Sequence, residues 1–206
     1  ELLHALILIN KGDDARKQRA AEILARIRES GQSNTDDATR MLAALETERW
    51  VLRRKEKASK EADISLARAR ELYIELTRRP KPSAMDLYKF GDLLLRADQT
   101  NELKKVANQL DRTAAGSAIS LDLRLRLAKK SGDQEKADRL AEEWADRAIA
   151  SGALLKSNAW GSVGQTLTRL GFHDEALEWL AKAYEADHRF YRDYVVGLAR
   201  DQQYLL

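Results

Sequence analysis

The chain contains no cysteine, and its two prolines stand together in Pro80-Lys81-Pro82. Without thiols, disulfide frameworks, zinc ribbons, thiolate metal clusters and cysteine nucleophiles are excluded. Aromatic residues make up only 6%. No apolar run approaches the roughly 20 residues that a membrane-spanning helix needs; the longest candidate is Ala5 to Ile9. Gly-rich phosphate loops, His-Glu-x-x-His and Gly-x-Ser-x-Gly are also missing. With those nucleotide, zinc-protease and hydrolase signatures gone, the sequence reads as a non-enzyme that needs no cofactor and no metal.

What is present is helix composition. The 206 residues are 44% hydrophobic and 33% charged, dominated by Ala, Leu, Glu, Lys and Arg. Apolar residues recur three and four apart almost throughout, and no stretch alternates long enough to predict a strand. Breaks fall at Lys11 to Asp14, Ser30 to Asp36, Arg79 to Ser83, Ala97 to Thr100, Ala114 to Ser117, Ser131 to Asp133, Ser151-Gly152 and Leu170-Gly171. Several pair a glycine that can end one helix with an Asp, Ser or Thr that can cap the next. The expectation is an all-α chain of antiparallel helical hairpins.

Helices of this length on short turns call for a search for repeats. Trp160 is followed by Val163-Gly164 and Leu167; beyond the Leu170-Gly171-Phe172 turn come Ala176, Leu180 and Ala183. This segment resembles the tetratricopeptide repeat, with Leu167 and Leu180 in place of aromatics and His188 where a proline usually closes the unit. Gly164 and Ala176 are small where two helices must approach, and Trp160, Val163, Leu167 and Leu180 fill the space between hairpins. Upstream, Leu87, Phe90-Gly91 and Leu94 repeat the first-helix spacing, with Leu103, Ala107 and Leu110 on the second helix. From Leu103 to Ala137 is 34 residues, the tetratricopeptide length. From Ala137 to Ala176 is 39, which places an insertion of about five residues near Ser151 to Lys156. Residues 84–187 thus read as regular repeats, 1–79 as two degenerate hairpins, and 189–204 as a terminal helix. The resemblance implies one right-handed α-solenoid domain over 1–206, made of about five hairpins plus that helix.

Concavity is the functional feature of such an array, because successive first helices line one wall. The resemblance implies a scaffold that binds a peptide or a partner's helix there. First-helix residues between the packing positions would face it: Tyr88, Asp92 and Arg96; Asp122, Arg126 and Lys129; Asn158, Gln165, Thr168 and Arg169. Four cations against two acids make that set +2, which predicts an acidic or carboxylate-bearing partner. The comparable row holds Asp92, Arg126 and Gln165 rather than a repeated Asn, which speaks against the family's carboxylate clamp.

Two features compete for a role. His173-Asp174-Glu175 looks like a metal or acid–base cluster, yet it opens a second helix, where acids favour the positive end. From Arg49 to Lys81, eleven Lys and Arg face five acids, an excess of six in a chain of net +3. That tract is the alternative binding surface, for nucleic acid or another polyanion. Trp144 and Trp160 fall at core positions, whereas Trp179 lies off its helix's apolar stripe and would pack on the final helix. The start at Glu1 and the apolar end Tyr204-Leu205-Leu206 read as a piece of a longer protein, such as the repeat portion of a multidomain enzyme or regulator. An apolar end would also allow self-association through the last helix. Absence of cysteine fits a reducing cytoplasm as well as export.

Overall fold

The computed structural model describes residues 1–10, 13–31, 34–150 and 156–203. Among them all regular structure is helical, with no strand. The α-helices are α1 (Leu2–Asn10), α2 (Asp14–Glu29), α3 (Thr35–Lys55), α4 (Ser59–Thr77), α5 (Ala84–Arg96), α6 (Thr100–Thr113), α7 (Ala118–Lys130), α8 (Gln134–Ala150), α9 (Lys156–Leu170), α10 (His173–Ala186) and α11 (Tyr191–Gln203), with a 3-10 turn at His188–Phe190 before the last. The chain divides into two compact units, Glu1–Thr113 and Ala114–Leu206, the seam falling between α6 and α7. Of the insertion expected near Ser151 to Lys156, residues 151–155 lie outside the described residues, as does the apolar tail 204–206.

Helix ends follow local chemistry. Asp13, Ser83, Ser117 and Asp133 cap helix starts, their side chains accepting backbone N–H groups at 2.9 to 3.3 Å. At the other end, Gly132 and Gly171 take left-handed conformations, and the next residue's N–H returns to the carbonyl five positions back, Asp133 to Ala128 and Phe172 to Leu167. Lys57 and Asp98 close α3 and α5 in the same way at φ 60° and 59°, although neither is glycine.

In the first unit, α1 to α6 each pack on the next in sequence. Their apolar stripes bury Leu24, Leu76, Leu87, Leu93, Leu94, Leu103 and Leu110 almost completely, each worth about 1.5–3 kcal/mol. Tyr73 of α4 stacks on Phe90 of α5 with centroids 5.8 Å apart. Burial pushes its phenol pKa up, against a hydrogen bond with Thr47. Polar side chains then join every second helix. Arg28 donates to Glu75 at 2.6 Å, linking α2 to α4. Arg40 grips the buried Asp86 through Nε and Nη2 at 2.9 to 3.1 Å, linking α3 to α5. Arg70 donates to Glu102 at 2.6 Å and Gln109 to the Thr77 carbonyl at 3.0 Å, linking α4 to α6 across 32 residues each.

In the second unit, α7 to α10 enclose a core of Leu121, Leu125, Ala128, Ala137, Leu140, Ala141, Val163, Leu167, Phe172 and Ala176. Trp144 packs against it, and so does Trp179, which joins this core in the space beside Lys182. Close approach does the work here. A Cβ at Gly164 would stand 2.6 Å from Leu180 Cγ and 3.1 Å from the Ala176 carbonyl oxygen, so α9 and α10 meet there only because residue 164 has no side chain. A Cβ at Gly161 would run into the Phe190 ring, which the 3-10 turn lays on α9. A Cβ at Gly197 of α11 would stand 3.5 Å from Leu177 and Leu180 of α10, an ordinary contact distance. The terminal helix therefore starts at Tyr191, two residues later than its spacing predicts, because Asp187 caps the 3-10 turn by accepting the Arg189 N–H.

Candidate binding surface

The ten residues expected to line a groove separate into distinct settings. In the first unit, Tyr88, Asp92 and Arg96 follow one another at four-residue intervals on α5, and Asp92 pairs with Arg96 at 2.8 Å. In the second unit, Asp122 and Arg126 pair at 3.6 Å on α7, both side chains mostly covered. Two of the four expected groove cations are therefore neutralised by acids of the same set, each one helical turn away.

Lys129 lies at the hairpin-turn end. Its Nζ stands 3.6 Å from the centre of the buried Phe172 ring and beside Gly171. Burial lowers its pKa, while Glu175 and Asp138 pull in the opposite sense. Glu175 is itself pushed up, first by burial and then by its hydrogen bond with Asp138, with its backbone N–H opposing. This cluster joins α7, α8 and α10 at one end of the unit. Asp174 and Glu175 occupy the first turn of α10, where they complement the helix dipole. Among the described residues, no group of three His, Asp or Glu is placed to hold a metal ion.

Gln165, Thr168 and Arg169 are brought together. They line a cleft of about 320 Å³ whose other wall is Leu180, Asp193, Val196 and Gly197. Gln165 donates to Asp193 at 2.9 Å, tying α9 to α11; Thr168 donates to the Gly164 carbonyl and Arg169 Nε to the Gln165 carbonyl. Asn158 is half-buried near the start of the same helix. Sequence reasoning missed Asp193, Val196 and Gly197. The signal was available, since Gly197 follows Gly164 by 33 residues, close to the repeat interval.

The 49–81 tract is spread over the end of α3, the turn, α4 and the linker after it. Arg49 pairs with Glu46 at 2.8 Å, Arg70 with Glu102 and Arg79 with Asp36, while Arg54 donates to the Arg96 carbonyl and covers Trp50. Trp50 is 3% exposed, which removes it from base stacking. A second cleft, of about 350 Å³, lies between α2 and α3, lined by Lys17, Leu45, Glu48, Arg49, Leu52 and Arg53 among others. Its charges are largely mutual, Lys17 meeting Glu48 at 2.5 Å.

No helix among the described residues is long and apolar enough to cross a membrane. Among the described residues the protein is all-helical, and within each unit consecutive helices pack on one another. Comparison of the chain with protein-family models and with curated proteins gave no match.

Proposed function

We propose that the protein is a non-catalytic scaffold, a tetratricopeptide-like α-solenoid of about five hairpins and a terminal helix that binds a peptide or partner helix along its first helices. The observation that carries this reading is the linkage of alternate helices. Arg70–Glu102 and Gln109–Thr77 bridge 32 residues, Gln165–Asp193 bridges 28, and the longer first hairpins give 46 and 47 for Arg40–Asp86 and Arg28–Glu75. Within the first unit α2 is thus tied to α4, α3 to α5 and α4 to α6, and within the second α9 is tied to α11, the linkage expected where stacked hairpins bury their faces.

The cleft beside α9 is the best-formed stretch of such a surface. Leu180 and Val196 offer apolar wall, and Gln165, Thr168 and Arg169 supply polar groups at its rim. That combination suits an extended segment with one aliphatic side chain next to a carboxylate. The preference for acid is placed on Arg169, the exposed cation at the rim of this cleft. Fluorescence anisotropy with acidic and charge-neutral peptide pools tests it. Arg169→Glu should weaken acidic peptides about tenfold, the effect of losing one charge-assisted contact. Unchanged affinity of the variant for acidic peptides, or equal affinity of the unmodified protein for both pools, would remove the reading. The polyanion alternative has less support, because four of the eleven tract cations are already engaged in ion pairs or carbonyl bonds.

A further inference from the structure

From Leu52 to Ile64, across the turn between α3 and α4, the chain carries Arg53, Arg54, Lys55, Lys57 and Lys60 against Glu56, Glu61 and Asp63, a net charge of +2. Three of these cations have a local explanation, for the last turn of α3 presents carbonyls that attract positive charge. The other two do not. Lys57 sits at φ 60°, a left-handed conformation that glycine adopts more easily. Lys60 stands in the first turn of α4, the positive end of that helix dipole, where a cation is disfavoured. Arg53, Lys55, Lys57 and Lys60 have no ion pair among the described residues, and the three lysines are exposed. Charge is thus held at this turn at the expense of local stability, which points to a use outside the fold.

Two large aliphatic side chains flank it. Leu52, in the last turn of α3, is 45% exposed, and Ile64, in the second turn of α4, is 53% exposed. Both lie within about 8 Å of the turn along their helix axes, at a rise of about 1.5 Å per residue. Nucleic acid rewards cations and stacking rings, and the one aromatic at this turn, Trp50, is buried under Arg54. Lysines bracketed by exposed aliphatics match a different surface, the anionic lipid interface, where diffuse positive charge meets headgroups and aliphatic side chains enter the acyl boundary.

We infer that the α3–α4 turn is a peripheral docking site for anionic membrane surfaces, with Lys55, Lys57 and Lys60 as electrostatic contacts and Leu52 and Ile64 as the inserted residues. Sedimentation of the full 206-residue chain with vesicles of phosphatidylcholine, with and without about 30% phosphatidylserine, tests it. Binding should require phosphatidylserine and fall steeply between 50 and 300 mM salt, by screening over about 10 Å. Each lysine removed should weaken partitioning about fivefold. Lys57→Gly is the informative single change, because it removes the charge while relieving the left-handed backbone. Leu52→Ser/Ile64→Ser, checked by circular dichroism, should also reduce vesicle binding while leaving the weak pull of the charges on heparin unchanged. The inference falls if phosphatidylserine vesicles fail to bind. It falls equally if the serine pair binds vesicles as well as the unmodified chain does, or if a single-stranded oligonucleotide binds more tightly than vesicles, since the turn would then be a general polyanion site.

Discussion

The two units solve the same packing problem by different means. In Glu1–Thr113, alternate helices are tied by long-range charged bridges such as Arg28–Glu75, Arg40–Asp86 and Arg70–Glu102. In Ala114–Leu206, the pairs Asp122–Arg126, Glu143–Arg147 and Asp187–Arg189 run within one stretch of chain, and helices meet through glycines that admit a neighbour's side chain. Seven of the ten glycines belong to the second unit. Steric nesting and ionic stitching should therefore fail under different perturbations.

The largest expected effect breaks the nesting. Gly164→Val would drive a branched side chain into Leu180 and the Ala176 carbonyl, at a cost of about 3 kcal/mol. Urea unfolding should show it, with amide exchange rising in α9 and α10 before α3 to α5. A loss below about 1 kcal/mol would mean that close approach at 164 is not what joins these helices.

The intermediate effect falls on the stitching. Asp86→Asn keeps the shape but leaves Arg40 facing a neutral amide. The expected loss is about 2 kcal/mol, less than the roughly 3–5 of a wholly buried pair, because Arg40 is partly open to water and keeps Asp37. Since Asp86 raises the Arg40 pKa chiefly through their hydrogen bond, the variant should also lose less stability than the unmodified protein on going from low to high salt. A salt response unchanged by Asp86→Asn would count against an ionic role for the bridge.

How much of this was legible beforehand divides along the same line. The second unit's hairpins could be read because small and large residues recur at fixed spacing, and Gly164 does lie opposite Ala176 and Leu180. The turn at Gly171 was equally visible, since a glycine there announces the left-handed residue. The charged bridges were not, because any Arg on a helix surface can meet several acids one or two hairpins away, and only the packing angle selects Asp86 for Arg40. The break at Ala97 to Thr100 was expected, but not that Asp98, like Lys57 at the end of α3, would take the left-handed conformation, because neither residue is glycine. Of the candidate groove, Gln165, Thr168 and Arg169 converge on one cleft, whereas Lys129 departs to Phe172 because its long side chain finds a ring one hairpin on.

The smallest effect is one of pH. Glu175 has a folded pKa above its ordinary value of 4.5, because of burial and then Asp138. The native state thus holds a proton that the unfolded chain releases, and the associated stability is present below that ordinary value and lost as pH rises through the raised one. Glu175→Gln should remove this slope, so that the variant gains on the unmodified protein from pH 4 to pH 7 in urea midpoints. A constant difference across that range would show that Glu175 titrates as it would in water.

Two helix ends in the first unit are finished by side chains from distant parts of the chain, α4 by a later residue and α5 by an earlier one. The last carbonyls of α4 and α5 receive Gln109 and Arg54, so the Thr77 end of α4 is completed by a side chain from α6. Shortening the protein from its C-terminal side of this unit would accordingly be felt upstream. A chain ending before α6 would leave α4 with a bare terminus as well as an uncovered flank, and loosening should spread backward by a whole hairpin. At α4 the array therefore has a direction, in which an element waits for a later one to close it.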